Sequence, residues 1–347
     1  LTVRPDIQQN VSLRGLNSLG IAATARYFVA VHDSGELTAA LAWAEEQQLA
    51  TLVLGGGSNL VFAGDPPGLV IRIAMRGRHW EDARNDEATL VLGAGENWHD
   101  SVMYAATSGY RGIENLALIP GTAGAAPVQN IGAYGVELKD TLVSVTALDR
   151  HSGETVVLAG EDCRFGYRDS LFKQDPGHYV ITEIRLRLSR SRPLSLDYGD
   201  LKGYFGDELD LATLTPLDVA NAVMAVRRRK LPDPQTLPNA GSFFKNPVVS
   251  DETWQRLQRD NPGIAGYPAV GSVKLAAAWL IDQCGWKGYR DARVGVHSHQ
   301  ALVLVNHSGG SGADILALAR RIREDVKTRF GVELEMEPGV VAPPDPV

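Results

Sequence analysis

The chain has 347 residues, 44% hydrophobic and 22% charged, with a formal charge of -7. That composition excludes a disordered or fibrous chain, and the acidic balance argues against unspecific nucleic-acid binding, which needs a basic surface. Length suggests two or three domains that bury cores without disulfides. The two cysteines, Cys163 and Cys284, lack CxxC or metal-ligand spacing and read as buried structural thiols. Residues 1–10 carry no basic and apolar leader pattern, and no apolar run approaches the roughly eighteen residues of a membrane span. A cytoplasmic protein with no membrane partner is expected.

In chain order, Val29 and Val31 end a strand, and Asp33 with Glu36 three residues on reads as a capping pair. The helix that follows places Leu37, Ala40, Leu41 and Ala44 at helical spacing. A buried-type strand over 51–54 stops at GGGSN. A strand over 89–92, a Gly93-Ala94-Gly95 turn and a helix over 98–107 come next. A glycine-rich stretch over 119–135 precedes strands at 143–148, 155–158 and 180–188. Thr215 caps and Pro216 opens a helix that runs to about Lys230, where Leu231-Pro232-Asp233-Pro234 stops it. Ser272 reads as the cap of another helix, with Leu275, Ala276, Trp279 and Leu280 on one face and Gly285 closing it. Ile315, Leu318, Ile322 and Val326 mark the last long helix, ended by Gly331. A final strand over 332–336 and a loose tail, APPDPV, are expected after it. Trp43 and Trp279, on apolar helical faces, read as core.

Glycine clusters follow strands at Gly55 to Gly57, at Gly93 and Gly95, and at Gly121 and Gly124. Glycine allows close backbone approach, and exposed N–H groups in such turns can cradle a pyrophosphate. A nicotinamide-binding Rossmann fingerprint fails, because Trp98 stands where the third glycine should be. Each cluster alone reads as a tight turn; together they point to a large phosphate-bearing cofactor.

The segments LGGGSNLVF, LALIPGTAGAAPVQNIGAYGVEL, CRFGYRDSLFK, YGDL, KLPDP, NAGSFFKNPVVS and GSVKLAAAWLIDQCG occur in that order between about residues 12 and 340. This series resembles the UDP-N-acetylenolpyruvoylglucosamine reductase family, in its longer type with a tyrosine-bearing insert at YGDL. The resemblance implies an α+β fold: a two-part FAD-binding domain of the vanillyl-alcohol oxidase type plus a separate α+β substrate-binding domain. It sets FAD subdomains at 1–80 and 81–213, a UDP-sugar domain at 214–330, and a strand returning to the FAD domain within 331–347. It also implies reduction of an enolpyruvyl ether of UDP-N-acetylglucosamine to UDP-N-acetylmuramate, with non-covalent FAD as hydride relay and NADPH as co-substrate. Such a reaction belongs to peptidoglycan precursor synthesis, hence to cell-wall biogenesis, cell shape and cell division.

The family's functional positions transfer residue by residue. FAD contacts fall on Leu54, Gly55, Gly56, Gly57, Ser58 and Asn59, on Pro120, Gly121, Gly124 and Ala125, and on Gln129, Asn130, Ile131, Gly132, Ala133 and Tyr134. Arg168 matches the family's arginine; a planar, permanently charged fork suits a substrate carboxylate. Ser242 matches the proton donor. Glu337 matches the C-terminal glutamate, but Pro338 and Gly339 depart from the family pattern there, which leaves Glu335 as the alternative. Facing an enediolate, that glutamate would have to be protonated. Substrate positions fall on Tyr167, Tyr198, Lys230, Asn246, Tyr267 and Lys274.

Other readings are possible. Lys230, at a helix C-terminus, could be purely structural. Arg227, Arg228 and Arg229 read as a solvated face that steers anionic ligands. His297 and His299, placed on one strand face with His307 nearby, lack a carboxylate or cysteine to complete a metal set, so no metal is expected. Another FAD-dependent sugar or lactone oxidase of the same fold is the main alternative, disfavoured because no histidine in the glycine turns could carry a covalent flavin link. A catalytically silent UDP-sugar module would not need Arg168, Ser242 and Glu337 together. Oligomeric state stays open, and a monomer is compatible with the sequence.

Overall fold

The computed structural model of the chain describes residues 5–206, 213–269 and 271–342. The chain divides into two compact units. Unit 1 comprises Leu1–Val11, Ala25–Gly56 and Pro67–Arg229, and unit 2 comprises Ser12–Thr24, Gly57–Pro66 and Lys230–Val347.

The first elements are β1 (Gln8–Ser12), β2 (Thr24–Val31), helix α1 (Ser34–Glu46), β3 (Thr51–Leu54), β4 (Leu60–Phe62) and β5 (Leu69–Ile73). A four-stranded sheet has the order β1-β2-β5-β3, with β5 parallel to β2 and β3. Leu69, Val70 and Ile71 are fully buried, as expected of a central parallel strand covered on both faces. Helix α1 starts where Asp33 accepts the Glu36 N–H at 2.8 Å, while the Glu36 carboxylate takes the His32 N–H at 2.7 Å. Its buried stripe is Leu37, Ala40 and Ala44.

Next come β6 (Arg78–Arg84), β7 (Glu87–Gly93), α2 (Trp98–Thr107), β8 (Gly132–Ala133), β9 (Val136–Glu137), β10 (Leu142–Asp149) and β11 (Thr155–Ala159). They are followed by α3 (Leu171–Gln174), β12 (Tyr179–Ser189), α4 (Gly199–Phe205) and α5 (Pro216–Lys230). An antiparallel sheet of order β11-β10-β12-β7-β6 forms the second layer of unit 1. Leu90 and Leu92 of β7, Ile184 and Leu186 of β12, and Trp98 and Val102 of α2 share one core. Each such side chain contributes about 1.5–3 kcal/mol by leaving water. Asn97 caps α2 by accepting the Asp100 N–H at 3.0 Å.

Unit 2 contains β13 (Asn239–Ser242), β14 (Val248–Val249), α6 (Asp251–Asp260), β15 (Gly266–Ala269), β16 (Ser272–Leu275) and α7 (Ala277–Gln283). It ends with β17 (Val294–Val296), β18 (Val303–Asn306), α8 (Gly312–Phe330) and β19 (Gly339–Val341). Two antiparallel sheets run β13-β18-β17 and β14-β16-β15, and β19 pairs in parallel with β4. Helix α8 begins with a capping box between Ser311 and Asp314 and ends at Gly331 with φ +68°. Its buried stripe includes Ile315, Leu318, Ile322 and Val326, the periodic set of the sequence.

Several local expectations are corrected. Ser272 opens a strand, not a helix: β16 is claimed on both sides by β14 and β15, and α7 starts only at Ala277. The last strand is Gly339–Val341, not 332–336; Val332 and Leu334 alternate with exposed neighbours, but alternation reports burial, and the pairing in that range is an isolated antiparallel bridge from Met336 to Phe244. His297 and His299 follow β17 in a loop instead of lying on a strand. Trp43 and Trp279 are half-buried rather than core, and Cys284 is half-buried while Cys163 is buried. The tail beyond Ala342 lies outside the described residues.

Candidate active site

Three glycine turns converge within unit 1. A Cβ on Gly56 would lie 2.9 Å from the Gly121 Cα, and one on Gly55 would lie 2.8 Å from the Thr122 hydroxyl. The turn after β7 joins them: the Gly124 N–H donates to the Ala94 carbonyl at 2.8 Å, and the Trp98 N–H donates to Gly121 at 3.1 Å. A Cβ on Gly124 would stand 2.5 Å from that of Ala94. Backbones therefore pack where side chains would otherwise intervene. Trp98 fills no glycine role; its indole is 1% exposed and donates to the Leu116 carbonyl at 3.0 Å.

Asn130 couples this glycine-rich run to the arginine turn. It sits at φ +43° and is fully buried. Its side-chain amide donates to Glu137 at 3.0 Å and to the Gly166 carbonyl at 3.1 Å, and its oxygen accepts the Lys139 N–H at 3.1 Å. Gly166 and Asp169 close a tight turn, with the Gly166 N–H donating to Asp169 at 3.0 Å. Arg168 occupies that turn at φ +55°, a left-handed conformation that costs a non-glycine residue on the order of 1–2 kcal/mol. Its Nη2 donates to the Gly132 carbonyl at 2.6 Å, and its guanidinium lies 5.5 Å from the Tyr167 ring centre. Strain held by so many partners fits a residue whose direction matters.

Tyr134 and Tyr198 meet edge to face, 5.4 Å between ring centres. Tyr134 is half-buried, and burial raises its pKa; Tyr198 is 48% exposed at the start of α4. Arg227 corrects the sequence reading of a solvated basic face. Its Nε is buried with no hydrogen-bond partner among the described residues. Desolvation lowers its pKa; Tyr134 opposes that shift and the Arg168 charge adds to it. A half-buried arginine whose Nε is buried and unbonded among the described residues fits a cofactor or substrate that brings negative charge.

Other residues to which the resemblance assigns a role lie in unit 2. The division falls inside the GGGSN turn, so Leu54, Gly55 and Gly56 belong to unit 1, and Gly57, Ser58 and Asn59 to unit 2. Ser242 ends β13 and pairs with Val303 of β18. The neighbouring segment bridges the chain around Met336: the Glu337 N–H donates to Phe243 at 3.0 Å, and the Lys245 N–H donates to Glu335 at 2.9 Å. The Asn59 side chain donates to the Glu337 carbonyl at 3.2 Å. The two glutamates differ: Glu337 is half-buried, whereas Glu335 is 68% exposed and ion-paired to Lys245 at 2.5 Å. Tyr267 and Lys274 are direct cross-strand partners, so their side chains share a sheet face. The Asn246 side chain accepts the Ala277 N–H at 3.0 Å, the first N–H of α7. Lys230 is the last residue of α5.

Known proteins match both the N-terminal and the C-terminal part of the chain. A sequence model for an FAD binding domain matches residues 25–159, and one for the C-terminal domain of UDP-N-acetylenolpyruvoylglucosamine reductase matches residues 233–341. The reductase of Pseudomonas syringae pv. tomato is 51% identical over 335 residues, covering 96% of this chain and 98% of that one. The reductase of Chromobacterium violaceum is 51% identical over 334 residues, covering 95% and 97%. The crystal structure of the same reductase from Thermus caldophilus superposes with a TM-score of 0.65 at 25% identity, covering 97% and 98%. A solvent-stable cholesterol oxidase, 12% identical with a TM-score of 0.51, shares the fold alone; it covers 96% of this chain and 88% of its own.

Proposed function

Because the chain belongs to the UDP-N-acetylenolpyruvoylglucosamine reductase family, we propose that it is the FAD-dependent enzyme that reduces the enolpyruvyl ether of UDP-N-acetylglucosamine to UDP-N-acetylmuramate with NADPH. The observation that carries this reading is the convergence of three glycine turns inside the FAD-binding region; the buried Arg227 Nε, without a hydrogen-bond partner among the described residues, supports it. FAD would be held at residues 54–59, at Pro120, Gly121, Gly124 and Ala125, and at residues 129–134. When bound, it supplies a two-electron relay between NADPH and the sugar.

The remaining chemistry falls to this chain's own side chains. The net change adds hydride to C3 and a proton to C2 of the enolpyruvyl group. Electron density accumulates on the adjacent carboxylate, and Arg168 offers a planar bidentate grip there. Glu337, held protonated, donates a hydrogen bond to the same developing charge. The Ser242 hydroxyl gives its proton to C2; the carbon is basic enough for a weak acid to suffice. Tyr198, Lys230, Asn246, Tyr267 and Lys274 hold the UDP-sugar, with Lys230 serving the diphosphate as a compact cation, and Tyr167 lines the carboxylate end. Residues 1–80 and 81–213 act as the two parts of the cofactor domain, 214–330 as the sugar domain, and 331–347 as a return to the former. No helix among the described residues is long and apolar enough to cross a membrane, in keeping with a cytoplasmic step that supplies cell-wall precursor for growth and division.

Ser242→Ala tests the assignment. NADPH should bleach the flavin at the parent rate, because that half-reaction protonates no substrate carbon. The return of yellow on adding the enolpyruvyl UDP-sugar should slow by about 10²–10⁴-fold, and Ser242→Cys should recover part of it. Parent-rate return in Ser242→Ala would remove Ser242 from the proton step.

A further inference from the structure

At the tip of the β10–β11 hairpin, Asp149, His151 and His178 bring a carboxylate oxygen and two imidazole nitrogens within 4.8 Å of one another. None of them has a part in the reaction above. Asp149 ends β10, and His178 immediately precedes β12, which pairs with β10. Backbone N–H groups of His151 and Ser152 donate to the Asp149 carboxylate at 2.8 and 3.2 Å, which fixes its direction. The His178 ring stacks on Tyr179, 4.0 Å between centres and 12° apart in plane, and the His151 ring centre is 4.0 Å from it.

The two ring nitrogens of His178 face two carboxylates. Nδ1 is 2.8 Å from Asp175 Oδ2, and Nε2 is 3.2 Å from Asp149 Oδ1. A neutral imidazole has one N–H to give. With that N–H on the shorter contact, the Nε2 lone pair would face a carboxylate oxygen. Two acceptors at that distance repel unless a second proton or a cation lies between them. A separation of 3.2 Å is close to the spacing of roughly 3.3 Å between adjacent ligands on tetrahedral zinc with bonds of about 2.0–2.1 Å. An Nδ1–H held by a carboxylate while Nε2 faces the metal is also the usual outer-sphere support of a ligating histidine. The Arg150 guanidinium donates to the Gly177 carbonyl at 3.0 Å.

We infer that Asp149, His151 and His178 form a site for a borderline divalent cation such as zinc or nickel, with Asp175 as the orienting carboxylate. The cation ties the β10–β11 turn to the segment that leads into β12. Mixed imidazole and carboxylate donors favour these ions over calcium or magnesium.

Calorimetric titration of the untagged full chain with zinc chloride, and separately with nickel chloride, tests this. One saturable site per chain is expected, with no comparable heat from calcium chloride. His151→Gln, an exposed change at a turn that should leave folding intact, and His178→Gln should each weaken zinc by at least 10-fold. Asp175→Asn should weaken it by about 10–100-fold through orientation alone. His297→Gln with His299→Gln should leave it unchanged. Cobalt(II) should give visible absorption that His151→Gln removes. Absence of a saturable site, or one that survives both His151→Gln and His178→Gln, overturns the inference; in that case a second proton on His178, seen by NMR as an imidazolium at neutral pH, accounts for the geometry.

Discussion

Gly56→Ala and Gly203→Ala make the same chemical change with opposite expected signs. Gly56 has no positive φ, so backbone strain does not enter. The added methyl carbon would stand 2.9 Å from the Gly121 Cα and 3.4 Å from its carbonyl carbon. The first distance is roughly 0.6 Å inside the closest ordinary carbon–carbon contact of about 3.5 Å. Backbone cannot swing aside as a flexible side chain can, so the two turns must part. Overpacking of this kind costs about 1–3 kcal/mol, or about 2–4 °C of melting temperature per kcal/mol for a unit of this size. Gly203 lies inside α4, where an added methyl carbon would meet nothing within 4 Å. There alanine should stabilise by about 0.5–1 kcal/mol through helix propensity. Melting curves with and without added FAD, together with the flavin retained after gel filtration, give the readout. Gly56→Ala should melt lower and lose flavin; Gly203→Ala should melt at or above the parent and keep it. Equal flavin retention and equal melting for Gly56→Ala and the parent would refute the claim that close backbone approach shapes the cofactor turns.

Arg168→Lys should lower kcat by at least 10-fold, about 1.4 kcal/mol of transition-state stabilisation, because lysine keeps the charge but loses the fork; a change in KM alone would place Arg168 outside the chemistry. Glu337→Gln should cripple turnover. Glu335→Gln should not, since its carboxylate is 68% exposed and ion-paired to Lys245; steady-state kinetics of the two variants decides, and the reverse pattern would mean that the register slips at Pro338. Burial pushes the Cys163 thiol up to about 12, and it donates to the Ala159 carbonyl at 3.4 Å. Iodoacetamide near pH 8 should therefore label Cys284 first and leave Cys163 untouched in the folded chain, as read by peptide mass; early Cys163 labelling would show that its pocket opens.

Elements with a strong local signal were legible in the sequence. The strand Thr51–Leu54 and the helix Trp98–Thr107 have the expected bounds, because a turn or cap stands at each end. Ser272–Leu275 was misread because a serine before apolar residues looks like a helix cap, whereas its actual state is set by β14 and β15 alongside. β4 has only three residues, and its partner β19 lies far along the chain, so no local pattern could announce it. Within the candidate site, motif resemblance supplied Arg168, but its left-handed backbone and the Asn130 bridge are tertiary facts. The charge run at Arg227 concealed that one of its members turns inward. The Asp149, His151 and His178 cluster escaped notice because its third member comes from a different strand connection.

The pairing of β4 with β19 sets an order of events during synthesis. Every piece of unit 1 has been made once Arg229 is joined to the chain, so that unit can close on the ribosome. Unit 2 draws on segments as early as Ser12–Thr24 and Gly57–Pro66, yet β4 must wait for Gly339–Val341 to arrive. Until then the edge of β4 lacks its partner strand and the Glu337 carbonyl is not yet there for Asn59. The nascent chain thus passes through a stage with unit 1 formed and unit 2 open, the stage at which chaperone protection would matter most.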